Sequence, residues 1–252
     1  MTNRSSQLQI PQERMLLNEV NHRISNELTA AISVISLAAK RSSNKEVRAA
    51  LADVTELLHN YADVHHALQM PEHDIRMDAA AYLRKLCLAI SRSKLERMKI
   101  DLVLAAPPLW LQSNQCWLLG MIMYELITNA ARHAFSGRNG AIRVELMLTG
   151  TFVECRVLDN GSARANCHPG RGLKIVDALA KALIGQVHQK FGSAGSASIL
   201  LFPSSAEAQI TATRRIHHTV PLANDDMPSF AYFNQSLPTP QTTGIEQVPA
   251  TE

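Results

Sequence analysis

The chain has 252 residues, 46% hydrophobic and 19% charged, with a formal net charge of +3 at pH 7. That is enough chain for one large or two small domains with a real core, and the charge is too mild for a nucleic-acid footprint, which needs dense Lys/Arg clusters on one face. No stretch reaches the roughly 20 uninterrupted apolar residues of a spanning helix, because Ala30 to Ala39 and Trp117 to Ile127 are short and broken by serines or by Glu125. The polar N-terminus MTNRSSQLQIPQER lacks the apolar core of a signal peptide. The expectation is a cytoplasmic protein with no nucleic-acid and no membrane partner.

Glycine divides the chain. The first 119 residues hold none, ten of the eleven fall between Gly120 and Gly195, and the last is Gly244. This predicts a helical first part and a second part with tight turns or ligand-cradling loops. Five of the eleven prolines lie beyond residue 220, so the end of the chain reads as a disordered tail. The four cysteines (Cys87, Cys116, Cys155, Cys167) form no C-x-x-C pair and read as buried free thiols; Cys167 and His168 lack a second ligand pair at zinc spacing.

From Pro11 to about Arg41 no helix breaker occurs, and Leu17, Val20, Ile24, Leu28, Ala31, Ile35 and Ala38 recur at three- and four-residue steps. At about 100° per residue they span about 80° of the helix, with Asn18, His22, Ser25, Asn26, Thr29, Ser33 and Ser36 opposite, so His22 points to solvent. Ser43-Asn44-Lys45-Glu46 has capping-box spacing and opens a second helix with Val47, Leu51, Val54, Leu58, Tyr61, His65 and Leu68 on one face, ended by Pro71. His59, His65 and His66 read as structural or solvated. One stripe on each of two helices needs a cover, and pairing with a second copy into a four-helix bundle predicts a homodimer; packing on the rest of the chain is the alternative.

Asp78 reads as the N-cap of a helix over Ala79 to Arg92, Ile100 to Leu104 as a strand, and Pro107-Pro108 as a turn. A long helix runs from Ser113 to about Phe135, and on it Glu125, Asn129, Arg132 and His133 gather on one side. Ile142 to Leu148 and Phe152 to Leu158 flank Thr149-Gly150 as a hairpin whose second strand runs into Asp159-Asn160-Gly161. Gly170-Arg171-Gly172 then precedes a helix (Leu173, Val176, Leu179, Ala180, Leu183) closed by Gly185, and a strand over Ser198 to Phe202 follows. A glycine pair at a helix N-terminus exposes backbone N–H groups to a phosphate. The order describes an α/β sandwich with a ligand pocket on its helical side.

Glu125-Leu-Ile-Thr-Asn129-Ala-Ala-Arg132-His133-Ala134 resembles the N box of the histidine-kinase ATP-binding domain, a Bergerat or GHKL fold shared with DNA gyrase and the MutL mismatch-repair ATPases. Asp159-Asn160-Gly161 resembles its G1 box, and Gly170-Arg171-Gly172-Leu173-Lys174-Ile175-Val176 its G2 box. Glu19-Val20-Asn21-His22-Arg23-Ile24-Ser25-Asn26 is similar to the phosphoacceptor box of HWE-type and related sensor histidine kinases.

The resemblance covers about Leu16 to Pro203 and implies an α+β chain. Residues 1–12 are a flexible N-terminus, 13–72 a helical hairpin that forms the dimeric bundle, 76–203 the ATP-binding domain and 204–252 the tail. It implies ATP and Mg²⁺, with Asn129 holding the metal against the phosphates and Glu125 orienting water or metal. Asp159 would accept from the adenine amino group, Gly161 would let the base approach, Gly170 and Gly172 would form the lid beside the phosphates, and Leu173 would join them in binding the nucleotide. Arg132 or His133 would approach the phosphate tail. His22 would be the nucleophile and pass its phosphoryl group to an aspartate of a response regulator receiver domain. An imidazole with a pKa of about 6.5 keeps a free lone pair at neutral pH.

The chain departs from the family pattern in three places. Position 163 is alanine where the G1 box has a second glycine, the tryptophan motif of the HWE group is not visible, and about 14 residues precede the first helix. The last leaves the signal to a separate sensor protein, the tail or an unrecognised ligand. The alternative of another class is a dimeric histidine phosphotransfer adaptor with a degenerate ATP domain, and a third is a serine kinase of the anti-sigma type. In the tail, Arg214, Arg215, His217 and His218 form a basic cluster, read as a solvated linker or a docking peptide.

Overall fold

The computed structural model describes residues 5–71, 73, 75–162, 171–192 and 194–204. The expectations for Ala163, Cys167, His168, Gly170 and residues 205–252 therefore lie outside the described residues. Helix α1 (Ser5–Arg41) and helix α2 (Lys45–Ala67) make the predicted hairpin. α1 begins six residues before Pro11, since Ser5 to Ile10 holds neither glycine nor proline to stop it. Asn44, not Ser43, caps α2: its side-chain oxygen accepts from the N–H groups of Glu46 (2.8 Å) and Val47 (3.4 Å). Arg48 Nη1 donates to the carbonyls of Ser42 (3.0 Å) and Ser43 (3.3 Å), which closes the turn.

The apolar stripe on α1 is not the face that meets α2. The half-buried positions are Asn21, Ser25, Leu28, Ile32, Ile35, Ser36 and Ala39, a face rotated by about 60° from the predicted stripe. Val20 stays 51% exposed and Val34 68%, with Ile24 and Leu37 also exposed. On α2, Leu51 and Leu58 turn inward while Val47, Val54 and Tyr61, at seven-residue steps, remain exposed. Helical geometry puts the exposed set of each helix on one side of the hairpin, with His22 about 160° around α1 from Val20 and Ile24.

Beyond the hairpin come β1 (Arg76–Asp78), α3 (Ala79–Ile90), a π-helical turn (Ser91–Leu95), a 3₁₀ turn (Glu96–Met98), β2 (Ile100–Ala105), β3 (Trp110–Gln112) and α4 (Ser113–His133). They are followed by β4 (Gly140–Thr149), β5 (Phe152–Asp159), α5 (Arg171–Ala182), β6 (Gln186–Gly192) and β7 (Gly195–Pro203). Asp78 caps α3 as expected, its carboxylate accepting from Ala80 N–H at 2.9 Å. The small antiparallel ribbon of β1 and β3, the strand β6 and the π-helical turn are additions to the sequence reading.

The main sheet has the order β2-β4-β5-β7-β6, with β2 parallel to β4 and every other pair antiparallel, so β2 and β6 are its edges. Val144 and Leu146 of β4, Val153, Cys155 and Val157 of β5, and Leu200 and Phe202 of β7 point to one face. They join Leu83, Leu86 and Ile90 of α3, Leu119, Ile122 and Met123 of α4, Val176 and Ala180 of α5, and Leu183 just past it in one core. Val64 of α2 belongs to the same core, so the lower end of the hairpin is part of it. Cys87, Cys116 and Cys155 are buried free thiols, and burial pushes Cys87 and Cys116 up to about 12. No helix among the described residues is long and apolar enough to cross a membrane.

α5 ends in a Schellman motif: Gly185 N–H donates to the Ala180 carbonyl (2.8 Å) and Ile184 N–H to the Lys181 carbonyl (2.9 Å). The left-handed position falls on Ile184, φ 54°, a β-branched residue where glycine is usual. Gly185, one residue on, is needed for space, since a Cβ there would lie 2.6 Å from the Leu201 carbonyl oxygen. Ile184→Asn is expected to stabilise the fold by about 1 kcal/mol, because asparagine tolerates that conformation. Gly185→Ala is expected to cost about 1–3 kcal/mol by overpacking against β7. Thermal or denaturant unfolding of the two variants checks both signs.

Candidate functional site

α4 carries Glu125 and Asn129 one turn apart, both half-buried on a helix whose other faces hold Leu119, Ile122 and Leu126 in the core. The first turn of α5 lies directly against them. A Cβ on Gly172 would sit 2.9 Å from Glu125 Oε2 and 3.1 Å from Asn129 Nδ2. Only a residue without a side chain brings the α5 backbone this close to the carboxylate and the carboxamide. Leu173 follows, half-buried, while Arg132 and His133 are exposed in the last turn of α4.

The second group forms where β5 ends. Asp159 is only 2% exposed and its carboxylate is well supplied with donors. Oδ1 accepts from Gly161 N–H (3.0 Å) and Ser196 N–H (3.3 Å), and Oδ2 accepts from Ser196 Oγ. Burial raises its pKa above the ordinary carboxylate value, and the bonds from Ser196 and Gly161 offset part of that rise. A carboxylate has about four acceptor positions, so three donors leave one on Oδ2. Gly161 sits against the end of the α4 segment, where a Cβ would come 2.3 Å from the Ala134 carbonyl oxygen, and Ser162 N–H donates to that same oxygen at 2.9 Å. Asn160 Oδ1 accepts from Ala141 N–H at 2.8 Å, so its role is to fasten the turn to β4.

Ser196 is the site residue that the sequence reading missed. It is paired across the strands with Asp159, and its signal was the Gly195-Ser196 step at the start of β7, a step without weight until β6 and β7 are seen as a hairpin.

His22 stands apart from both groups. It is exposed on α1, beside an i,i+4 ion pair between Arg23 and Glu19 at 2.9 Å. Among the described residues no hydrogen bond or ion pair joins it to Glu125, Asn129 or Asp159. The structure thus brings Glu125, Asn129 and Gly172 together at one place and Asp159, Gly161 and Ser196 at another, both at the α4 side of the sheet. Among the described residues no group of three or more His, Cys, Asp or Glu side chains is placed to hold a metal ion by itself.

Residues 19–94 match the family described as histidine kinase. Sensor histidine kinase PdtaS of Mycobacterium tuberculosis is 28% identical over 149 residues, 58% of this chain and 29% of that protein. The chain therefore spans less than a third of the length of this relative. Blue-light-activated histidine kinase 2 of Erythrobacter litoralis is 24% identical over 210 residues, 79% of this chain and 60% of that protein. The solved histidine kinase domain of an Erythrobacter litoralis blue-light-activated kinase superposes with a TM-score of 0.52 at 18% identity, covering 74% of this chain and 98% of that one, and shows the common fold. Residues 19–94 thus match a family described as histidine kinase, and the chain is similar to sensor histidine kinases over 58–79% of its length.

Proposed function

We propose that this chain is an ATP-dependent protein histidine kinase of a two-component system, acting in the cytoplasm. It moves the γ-phosphoryl group of ATP to His22 and then to an aspartate of a response regulator. The observation that carries the reading is the approach of Gly172 to Glu125 and Asn129, which sets the first turn of α5 beside a carboxylate and a carboxamide. Helix N-termini favour phosphate, and oxygen donors suit a hard cation that keeps most of its ligands as water and phosphate. Asn129 Oδ1, with Glu125 beside it, is the group that would hold Mg²⁺, and the bound ion supplies neutralisation of charge on the transferred phosphoryl group.

The remaining roles fall to the chain's own residues. The free acceptor position on Asp159 receives the adenine amino group, and the backbone at Gly161 leaves room for the base edge. Arg132 and His133, exposed at the end of the same helix, face the phosphate tail. His22 attacks the γ-phosphorus through a ring nitrogen, the bond from that phosphorus to the bridging oxygen breaks, and ADP leaves. Since transfer depends on in-line placement more than on covalent help, an exposed histidine on a rigid helix suffices as acceptor. The hairpin 13–72 is then the acceptor and dimerisation domain and 76–203 the nucleotide domain. Val20, Ile24, Val34, Val47, Val54 and Tyr61 form the surface that a second copy covers.

Incubation with γ-labelled ATP and Mg²⁺ is expected to label the wild type and to label neither His22→Ala nor Asn129→Asp; label surviving in His22→Ala overturns the assigned acceptor. Asp159→Asn is expected to lose at least tenfold in nucleotide affinity, on the order of one charge-assisted hydrogen bond. The same variant is expected to be as stable as the wild type at neutral pH or more so. A raised carboxyl pKa contributes stability that is complete below the unfolded pKa and is lost as pH rises through the folded one, so removing the acid removes a neutral-pH penalty. Paired calorimetry and unfolding measurements check this. Val54→Glu is expected to shift the chain from dimer to monomer in analytical ultracentrifugation, since it buries a charge in the shared face.

A further inference from the structure

The last turn of α2 is held by side chains from two other helices. Tyr82 on α3 donates its hydroxyl to the Ala67 carbonyl at 3.0 Å, and Trp117 on α4 donates Nε1–H to the Leu68 carbonyl at 2.9 Å. These are carbonyls that a helix end leaves without intrahelical partners. Gly120 makes the first contact feasible, since a Cβ there would lie 2.2 Å from the Tyr82 hydroxyl. Burial raises the Tyr82 pKa well above its usual value, so the hydroxyl stays a donor at any working pH. Val64, one turn earlier, is 6% exposed and part of the same core as α3 and α4.

The next residue turns the other way. Gln69 Nε2 donates to Ser25 Oγ on α1 at 3.1 Å, and Gln69 Oε1 is 2.9 Å from His66 Nδ1, which fixes the carboxamide from its other side. Among the described residues this is the one side-chain hydrogen bond joining α1 to anything beyond its own helix. Apolar contacts along the hairpin tolerate small rotations of one helix against the other, whereas a directed hydrogen bond at one point does not. Ser25 is three residues past His22, on the same side of α1. Trp117 is eight residues before Glu125, about 12 Å along α4.

From this continuous set of contacts we infer that Gln69 is a positioning residue for phosphoryl transfer: through Ser25 it sets the rotation of α1 at His22 against the α2 terminus that Tyr82 and Trp117 tie to the helix of Glu125 and Asn129. The inference rests on the kinase reading above. Gln69 touches no reacting atom, so its effect belongs to the turnover of bound nucleotide and not to nucleotide affinity.

The test uses the full chain with Gln69→Leu, Ser25→Ala, their double variant and Gln69→Glu. Glutamate keeps an acceptor for His66 and lets the Ser25 hydroxyl donate. Gln69→Leu and Ser25→Ala are expected to lower the rate of His22 labelling at saturating ATP by about tenfold, the order of one lost orienting hydrogen bond. Affinity for ADP should stay within twofold of wild type, the double variant should be no slower than either single, and Gln69→Glu should restore the rate. Amide exchange over residues 22–29 should quicken in the slow variants and not in Gln69→Glu. Labelling of Gln69→Leu within twofold of wild type, ADP affinity falling in step with the rate, or additive losses in the double variant each overturn the positioning role. A wild type that takes no label overturns the kinase reading and this role with it.

Discussion

A backbone-to-side-chain contact that admits no Cβ organises the candidate site. At position 172 the first turn of α5 rests on Glu125 and Asn129 of α4, and any side chain would enter the space those two polar groups occupy. Gly161 does the same for the turn after β5, against the Ala134 carbonyl just past α4. α4 and the residue just past it are therefore approached at two places by chain that must be bare. The core of α4, β4 and β5 is what keeps these short distances from relaxing.

Asp159 shows how the site is kept at some expense to the fold. A buried acid with a raised pKa weakens the folded state at neutral pH, yet three donors are arranged around it, two of them from Ser196 alone. An amide would fill the same space without the burden of a charge. A carboxylate that persists in such a place is chemistry retained against stability, a pattern common where function sets the residue.

Much of this was legible in the residues. The caps and turns with strong local chemistry, Asp78 before α3 and Thr149-Gly150 between β4 and β5, stand where the spacing puts them. Glu125 and Asn129 share a face because helical periodicity requires it. The features that escaped are those settled by tertiary pairing. β1 and β3 are three residues each and exist through each other, and β6 alternates only weakly, with Gln186, His188 and Lys190 on one side and little beyond Val187 and Phe191 on the other. Ser196 could not be recognised before β6 and β7 were paired. The rotation of α1 escaped for a different reason: its apolar arc is wide enough for two partners, and sequence does not say which edge α2 takes. Ser25 lies on the half-buried face, and a polar residue has a place there because Gln69, just past α2, bonds to it.

The two edge strands bear on what the molecule does when it meets a copy of itself. An open sheet edge is a template for another strand, and charged or polar side chains there blunt it. Among the described residues β6 exposes Gln186, His188 and Lys190 beside Phe191, and β2 exposes Asp101, so polar side chains stand along both edges. The hairpin does the reverse and leaves valines and a tyrosine uncovered on one side. Polar edges discourage open-ended strand addition, which would build fibres, so the proposed two-fold contact through the helices would close the assembly instead.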